Sequence, residues 1–155
     1  MVYRLTYVSA VPTSAMATLA GAMQDILTVS AFNNRRDGLT GLLLCDGDIF
    51  AQVLEGDEAM VEACFRRILN DPRNIGPIVR ERAAADERLF PRWSMCGVTL
   101  SPHDDALLTP AATGFDLARA SAGALRQTLA GVAQRHGPQL DAEHAQRLLT
   151  FERIR

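Results

Sequence analysis

Leu39-Thr40-Gly41-Leu42-Leu43-Leu44-Cys45-Asp46-Gly47-Asp48-Ile49-Phe50-Ala51-Gln52-Val53-Leu54 reads as two apolar runs around one turn. Leu39 to Cys45 and Asp48 to Leu54 have strand length, and Asp46-Gly47 tolerates the positive φ angles of a tight type I′ hairpin. One position in the second run breaks the apolar pattern. Gln52 alternates with Phe50 and Leu54, so its amide shares an apolar face with them and needs partners there. Leaving such an amide unsatisfied costs on the order of 1 to 3 kcal/mol.

Upstream of the hairpin, Tyr3 to Ser9 alternates with a period of two, placing Tyr3, Leu5, Tyr7 and Ser9 on one face of a first strand. Met16, Leu19, Ala20, Met23, Ile26, Leu27 and Ser30 recur at three- and four-residue spacing, which predicts an amphipathic helix capped by Thr13 or Ser14. That helix ends in the polar run Asn33 to Gly38. Downstream, Met60, Val61, Cys64, Phe65, Ile68 and Leu69 form the buried stripe of a second helix, which Asp71-Pro72 stops. Ile78 to Ala83 reads as an edge strand, and Trp93 to Thr99 as a last strand with Trp93 and Met95 on one face.

The order β-α-β-β-α-β-β predicts an α+β, ferredoxin-like sheet with both helices on one face. Pro102 to Pro110 reads as a linker, and Thr113-Gly114-Phe115-Asp116 as a capping box. Phe115, Ala118, Ala122, Leu125, Leu129 and Val132 make a narrow apolar stripe; Gly137-Pro138 ends this helix, and Leu140 to Ile154 forms another. These two C-terminal helices cap the far face of the sheet or make a subunit contact. Residues 1–100 and 101–155 are thus a core domain and a C-terminal helical extension.

Composition bounds the function. The chain has 155 residues, 48% hydrophobic and 22% charged, the mixture of a single soluble globular domain and not of a disordered or fibrous chain. A formal net charge of -2 argues against non-specific attraction to nucleic acid or anionic membranes. All 16 bases are Arg, so mechanisms that need a Schiff-base or Walker-type Lys are excluded. Cys45, Cys64 and Cys96 lie in apolar runs and read as reduced thiols of a cytoplasmic protein; no His pairs with them at a metal-ligand spacing, so no metal site is expected. No apolar stretch approaches the roughly 20 residues that span a bilayer, and the start of the chain does not read as a signal peptide.

Several segments together resemble a known family. Tyr3-Arg4-Leu5-Thr6-Tyr7-Val8-Ser9, Gln24-Asp25-Ile26-Leu27 leading to Asn33-Asn34-Arg35-Arg36-Asp37-Gly38-Leu39-Thr40-Gly41, Phe50-Ala51-Gln52-Val53-Leu54-Glu55-Gly56 and Phe90-Pro91-Arg92-Trp93-Ser94-Met95 look like the BLUF domain, a blue-light sensor that uses flavin. The similarity covers residues 1–100, in order and at family spacing.

The resemblance implies a non-enzymatic photoreceptor that binds FAD non-covalently, with FMN or riboflavin as alternatives. Tyr7 matches the tyrosine that gives an electron and a proton to the excited flavin, and Gln52 the glutamine that bridges this phenol to the ring. Asn34 matches the amide that holds the C4=O and N3 side, and Asn33 is its neighbour. Arg73 matches the basic position near the ribityl-phosphate tail, followed here by Asn74 where many relatives have His. Trp93 and Met95 match the pair on the last strand that responds to light, and Ser9 the first-strand hydroxyl near that pair. Since the segment after residue 100 is short, output is expected through a protein partner and a homo-oligomer, with neither nucleic acid nor membrane involved. The competing readings are a flavin-free BLUF-like interaction module, an acylphosphatase-like hydrolase and an RNA-binding module. Ser9-Ala10-Val11-Pro12 lacks the anion-binding Arg and Gly-rich loop of the hydrolase, and the strand aromatics are not interleaved with basic residues as RNA binding needs.

Overall fold

The computed structural model describes residues 1–12, 19–100 and 117–154. Along the chain run β1 (Val2–Ala10), α1 (Leu19–Asp37), β2 (Thr40–Asp46), β3 (Ile49–Gly56), α2 (Glu58–Leu69), β4 (Ile75–Ala85), β5 (Cys96–Thr99) and α3 (Ala122–Ile154). The strands form one sheet in the order β4-β1-β3-β2-β5. β5 is parallel to β2 and every other pairing is antiparallel. This is the expected α+β, ferredoxin-like arrangement, with β4 as an edge strand.

Alternation along the strands divides the core in two. Leu5, Tyr7, Leu43, Phe50 and Leu54 face inward and meet Leu27 and Ala31 of α1 and Val61 and Phe65 of α2. Val8, Leu42, Leu44, Ala51 and Val53 face outward and meet Leu125, Leu129, Val132 and Leu140 of α3. The N-terminus of α2 is satisfied by Asp57, whose carboxylate accepts from the amides of Ala59 and Met60 at 3.1 and 3.4 Å. Met60 and Leu69, expected in the buried stripe of this helix, are exposed at its borders, since one helical face buries only Val61, Cys64 and Phe65.

The hairpin turn lies one residue later than expected. Asp46 pairs with Ile49, so the loop is Gly47-Asp48, and only Gly47 has a positive φ, 59°. This is the pattern of a type II′ turn, which needs glycine at its first central position alone. The last strand is shorter than expected: Trp93, Ser94 and Met95 precede it, and Trp93 belongs to the outer cluster while Met95 belongs to the inner one. Their side chains therefore do not share a face.

Gly137-Pro138 does not end a helix. α3 runs for 33 residues with Pro138 inside it. Proline removes the amide that would bond the carbonyl of Gln134, at a cost of about 3 kcal/mol. Buried Leu125, Leu129 and Val132 before it and Leu140 after it offset that cost, each contributing about 1.5 to 3 kcal/mol. Among the described residues, one continuous helix thus spans Gly137-Pro138, where a break between two helices was expected, and caps the outer face. Its first half is tied to β4 by Arg126 bonded to Glu81, and by Arg80 bonded to the carbonyl of Ala118 just before the helix. The proposed cap at Thr13 or Ser14, the linker from Pro102 to Pro110 and the capping box with Phe115 lie outside the described residues. Among the described residues, no helix is long and apolar enough to cross a membrane.

Candidate functional site

A cavity of about 240 Å³ opens between α1 and α2 above the centre of the sheet. Tyr7, Leu43, Phe50 and Gln52 form its floor. Ile26, Val29, Ser30, Asn33 and Asn34 of α1 make one wall, and Cys64, Arg67 and Ile68 of α2 the other. Asp71, Arg73 and Asn74, on the loop after α2, line the remaining side.

The floor carries the most specific geometry. Tyr7 and Gln52 are register partners on β1 and β3, so their side chains leave the sheet side by side. Both are buried, and the Tyr7 hydroxyl donates to Gln52 Oε1. The other end of the amide, Nε2, donates to Met95 Sδ at 3.2 Å. Met95 reaches β3 by passing Gly41 of β2. A Cβ on Gly41 would lie 2.0 Å from the Val53 carbonyl oxygen and 3.1 Å from Met95 Cε, so only glycine leaves room there. Burial pushes the phenol of Tyr7 far above its ordinary range, so it is a neutral hydrogen-bond donor at any working pH. Its ring lies 5.3 Å from that of Phe65.

Asn34, 2% exposed, sits in the last turns of α1. Its Nδ2 donates to the carbonyl of Ser94 at 2.9 Å, and Cys64 Sγ lies 3.8 Å from its Oδ1. Burial raises the pKa of the Cys64 thiol, which keeps it protonated and able to donate. Asn33 is half-buried on the same wall. Arg73 grips Asp71 with both ends of its guanidinium, at 3.0 and 2.6 Å, and this pairing holds the Asp71 carboxyl below its usual range. The Asn74 amide donates to the carbonyls of Ile68 and Asp71, while its buried Oδ1 has no hydrogen-bond partner.

The expected signalling residues are dispersed. Ser9 is buried opposite Phe50 and its hydroxyl has no hydrogen-bond partner. β3 and β2 separate its strand from β5, so β1 and β5 are not neighbours. Trp93 stacks on Phe90 with ring centroids 6.4 Å apart, and its indole Nε1 donates to Asp141 of α3 at 2.8 Å. The structure thus brings Tyr7, Gln52, Asn34 and Met95 together, places Asn33 and Arg73 on the cavity lining, and leaves Ser9 and Trp93 outside it.

Sequence reasoning missed Ile26, Ser30, Cys64 and Ile68 as lining, although each lies on a helix stripe whose buried face was legible. Nothing local marked Arg67, Asp71 or Ser94, because their roles come from where α2 and the segment before β5 end up.

The geometry has close counterparts. A solved structure of BlsA in its photo-activated state superposes with a TM-score of 0.74 at 28% identity, over 83% of this chain and 92% of that one. The photoactivated adenylate cyclase subunit alpha-like protein FB of Euglena gracilis is 32% identical over 92 residues, 59% of this chain. The blue light- and temperature-regulated antirepressor BluF of Escherichia coli (strain K12) is 35% identical over 87 residues, 55% of this chain. The matches span only 9% and 22% of those two relatives. Residues 2–96 match the model of the BLUF family, described as sensors of blue light using FAD, and the chain belongs to that family.

Proposed function

We propose that the cavity between α1 and α2 holds the ring system of a flavin, FAD first and FMN or riboflavin as alternatives, and that Tyr7 and Gln52 are its light-responsive pair. The observation that carries this reading is the buried chain Tyr7 Oη to Gln52 Oε1, then Gln52 Nε2 to Met95 Sδ. The donor set fits a flat heterocycle edged with carbonyls and ring nitrogens. Gln52 and Asn34 offer buried amides that both donate and accept, between apolar surfaces from Ile26, Ile68 and Phe50. The unpartnered Oδ1 of Asn74 could accept from a hydroxyl of the polar tail, and the cations Arg67 and Arg73 suit its anionic end.

When bound, the flavin supplies blue-light absorption and an excited state that accepts an electron and a proton. Tyr7 is placed to give both, being the redox-active group on the cavity floor and already aligned on Gln52. With a flavin bound, transient loss of the phenolic proton, returned to Tyr7 with the electron as the excited state relaxes, would remove the donor that fixes Gln52 Oε1. The amide can then turn over or change tautomer, releasing Met95 Sδ and presenting a new donor pattern to the cavity. Asn34 and Asn33 hold the ring beside Gln52, and Arg73 attends the tail.

Met95 and Trp93, on opposite sides of the segment before β5, carry the change toward α3, and Ser9 adjusts the β1 end of the floor. In this reading residues 1–100 are the sensor and residues 101–155 the output element, which acts in the cytoplasm by associating with a protein partner. Exposed Ile75 and Ile78 on edge strand β4 support self-association.

The test is an absorption spectrum of the purified protein with FAD, before and after blue light. A reversible red shift is expected in the wild type. Tyr7→Phe and Gln52→Leu should keep the flavin and lose the shift. A protein that stays colourless in excess flavin overturns the reading, as does a normal photocycle in either variant.

A further inference from the structure

Ser94 is gripped from two sides. Its carbonyl accepts from Asn34 Nδ2 at 2.9 Å, on the cavity side. Its amide donates to Nε2 of His144 at 3.2 Å, and its hydroxyl lies 2.8 Å from the same nitrogen, on the α3 side. Ser94 is 6% exposed, so water offers little replacement for either contact.

The amide contact selects one form of His144. An N–H group can donate only to a nitrogen with a free lone pair, so this contact is made by the neutral ring with its proton on Nδ1, whereas the hydroxyl contact suits either tautomer. The surroundings favour this form. Burial lowers the pKa of His144, as do Arg147 on α3 and Arg35 on α1, while Asp141 on α3 opposes them. A protonated ring would turn a second donor toward the Ser94 amide.

His144 also lies on the half of α3 that follows Pro138. The half before Pro138 is packed on the outer face of the sheet through Leu125, Leu129 and Val132. The half after it is tied to the segment before β5 by His144 and by Asp141, which accepts from Arg92 and Trp93 at 2.9 and 2.8 Å. Arg147 adds a contact to Gln24 of α1 at 3.2 Å.

We infer that His144 is a positioning residue that couples the cavity to the part of α3 beyond Pro138, by reading the same Ser94 peptide that Asn34 holds from the cavity side. This route is separate from the Gln52–Met95 contact. Its response to light rests on the flavin reading above; the linkage between Asn34 and α3 does not.

The experiment is a double-mutant cycle on the full chain, read by hydrogen exchange of residues 139–150 in the dark. Asn34→Ala should accelerate exchange there by about fivefold or more in the wild-type background. In the His144→Ala background the same substitution should change it by less than about twofold. His144→Gln, which keeps an acceptor for the Ser94 amide, should restore most of the coupling and guards against a trivial loss of helix. Additive effects overturn the proposal. With FAD bound, His144→Ala should keep the red shift but diminish the light-driven exchange change in this segment, leaving what passes through Trp93 and Asp141. A light response that survives intact in His144→Ala also overturns it. Absence of the red shift in the wild type overturns the flavin reading instead, and the dark cycle still decides the coupling.

Discussion

Gln52 and Glu55 are buried polar residues three positions apart on β3, one on each face of the sheet, and their surroundings differ in kind. Glu55 is 0% exposed and saturated: Arg4 Nε and the amide of Leu89 donate to Oε2 at 3.0 and 2.9 Å, and the amide of Phe90 donates to Oε1 at 3.0 Å. Every one of these partners is fixed by backbone or by a charge. Gln52 has one strong partner, Tyr7, one weak partner, the thioether of Met95, and open space above. A buried polar group with several fixed donors acts as a lock, while one with a weak partner beside a cavity is free to switch.

The largest effect expected from this contrast is on the lock. Glu55→Ala leaves the charge of the largely buried Arg4 guanidinium without its carboxylate, with only the Glu87 carbonyl at 3.1 Å remaining, and two amides without their acceptor, which should destabilise the fold by about 3 to 5 kcal/mol in urea unfolding. A loss below about 1 kcal/mol, the value of an exposed pair, would erase the distinction between the two residues.

Gln52→Leu should cost less, about 1 to 3 kcal/mol, mainly because the buried Tyr7 hydroxyl loses its acceptor. Combining it with Tyr7→Phe removes both partners and should recover part of the loss. A double variant less stable than Gln52→Leu alone would show that Tyr7 and Gln52 are not paired in solution.

The smallest effect concerns pH. Since the fold holds His144 below its ordinary value of 6.5, the unfolded chain takes up the proton first as pH falls. The stability that the neutral ring contributes is complete above about 6.5 and is lost progressively below it, toward the lower folded-state value. Urea midpoints followed across this window should drop more in the wild type than in His144→Gln. Equal acid sensitivity in the two proteins would remove His144 as its source.

Much of the switch is legible in the order of residues alone. Period-two alternation places Tyr7 with Leu5, and Gln52 with Phe50 and Leu54, on one strand face each. The element order makes β1 and β3 neighbours, so the pair follows from local patterns and topology. The lock is not legible in this way. Glu55 reads as part of a turn before a helix, and its donors come from residues 34 and 35 positions away.

The sequence by itself determined the order of elements through β5, the facing of the residues on β1 to β3 and the kinship of residues 2–96, because those properties are carried by short-range periodicity and motif spacing. Tertiary structure alone decided that Trp93 and Met95 diverge to opposite faces, that α3 continues through Pro138, and that His144 meets Ser94 across 50 residues of chain. Local signals favoured a strand at the first of these positions and a helix end at the second, and nothing local marked His144. The two local preferences were overruled because burial of apolar faces on both sides of the sheet contributes more than those preferences cost.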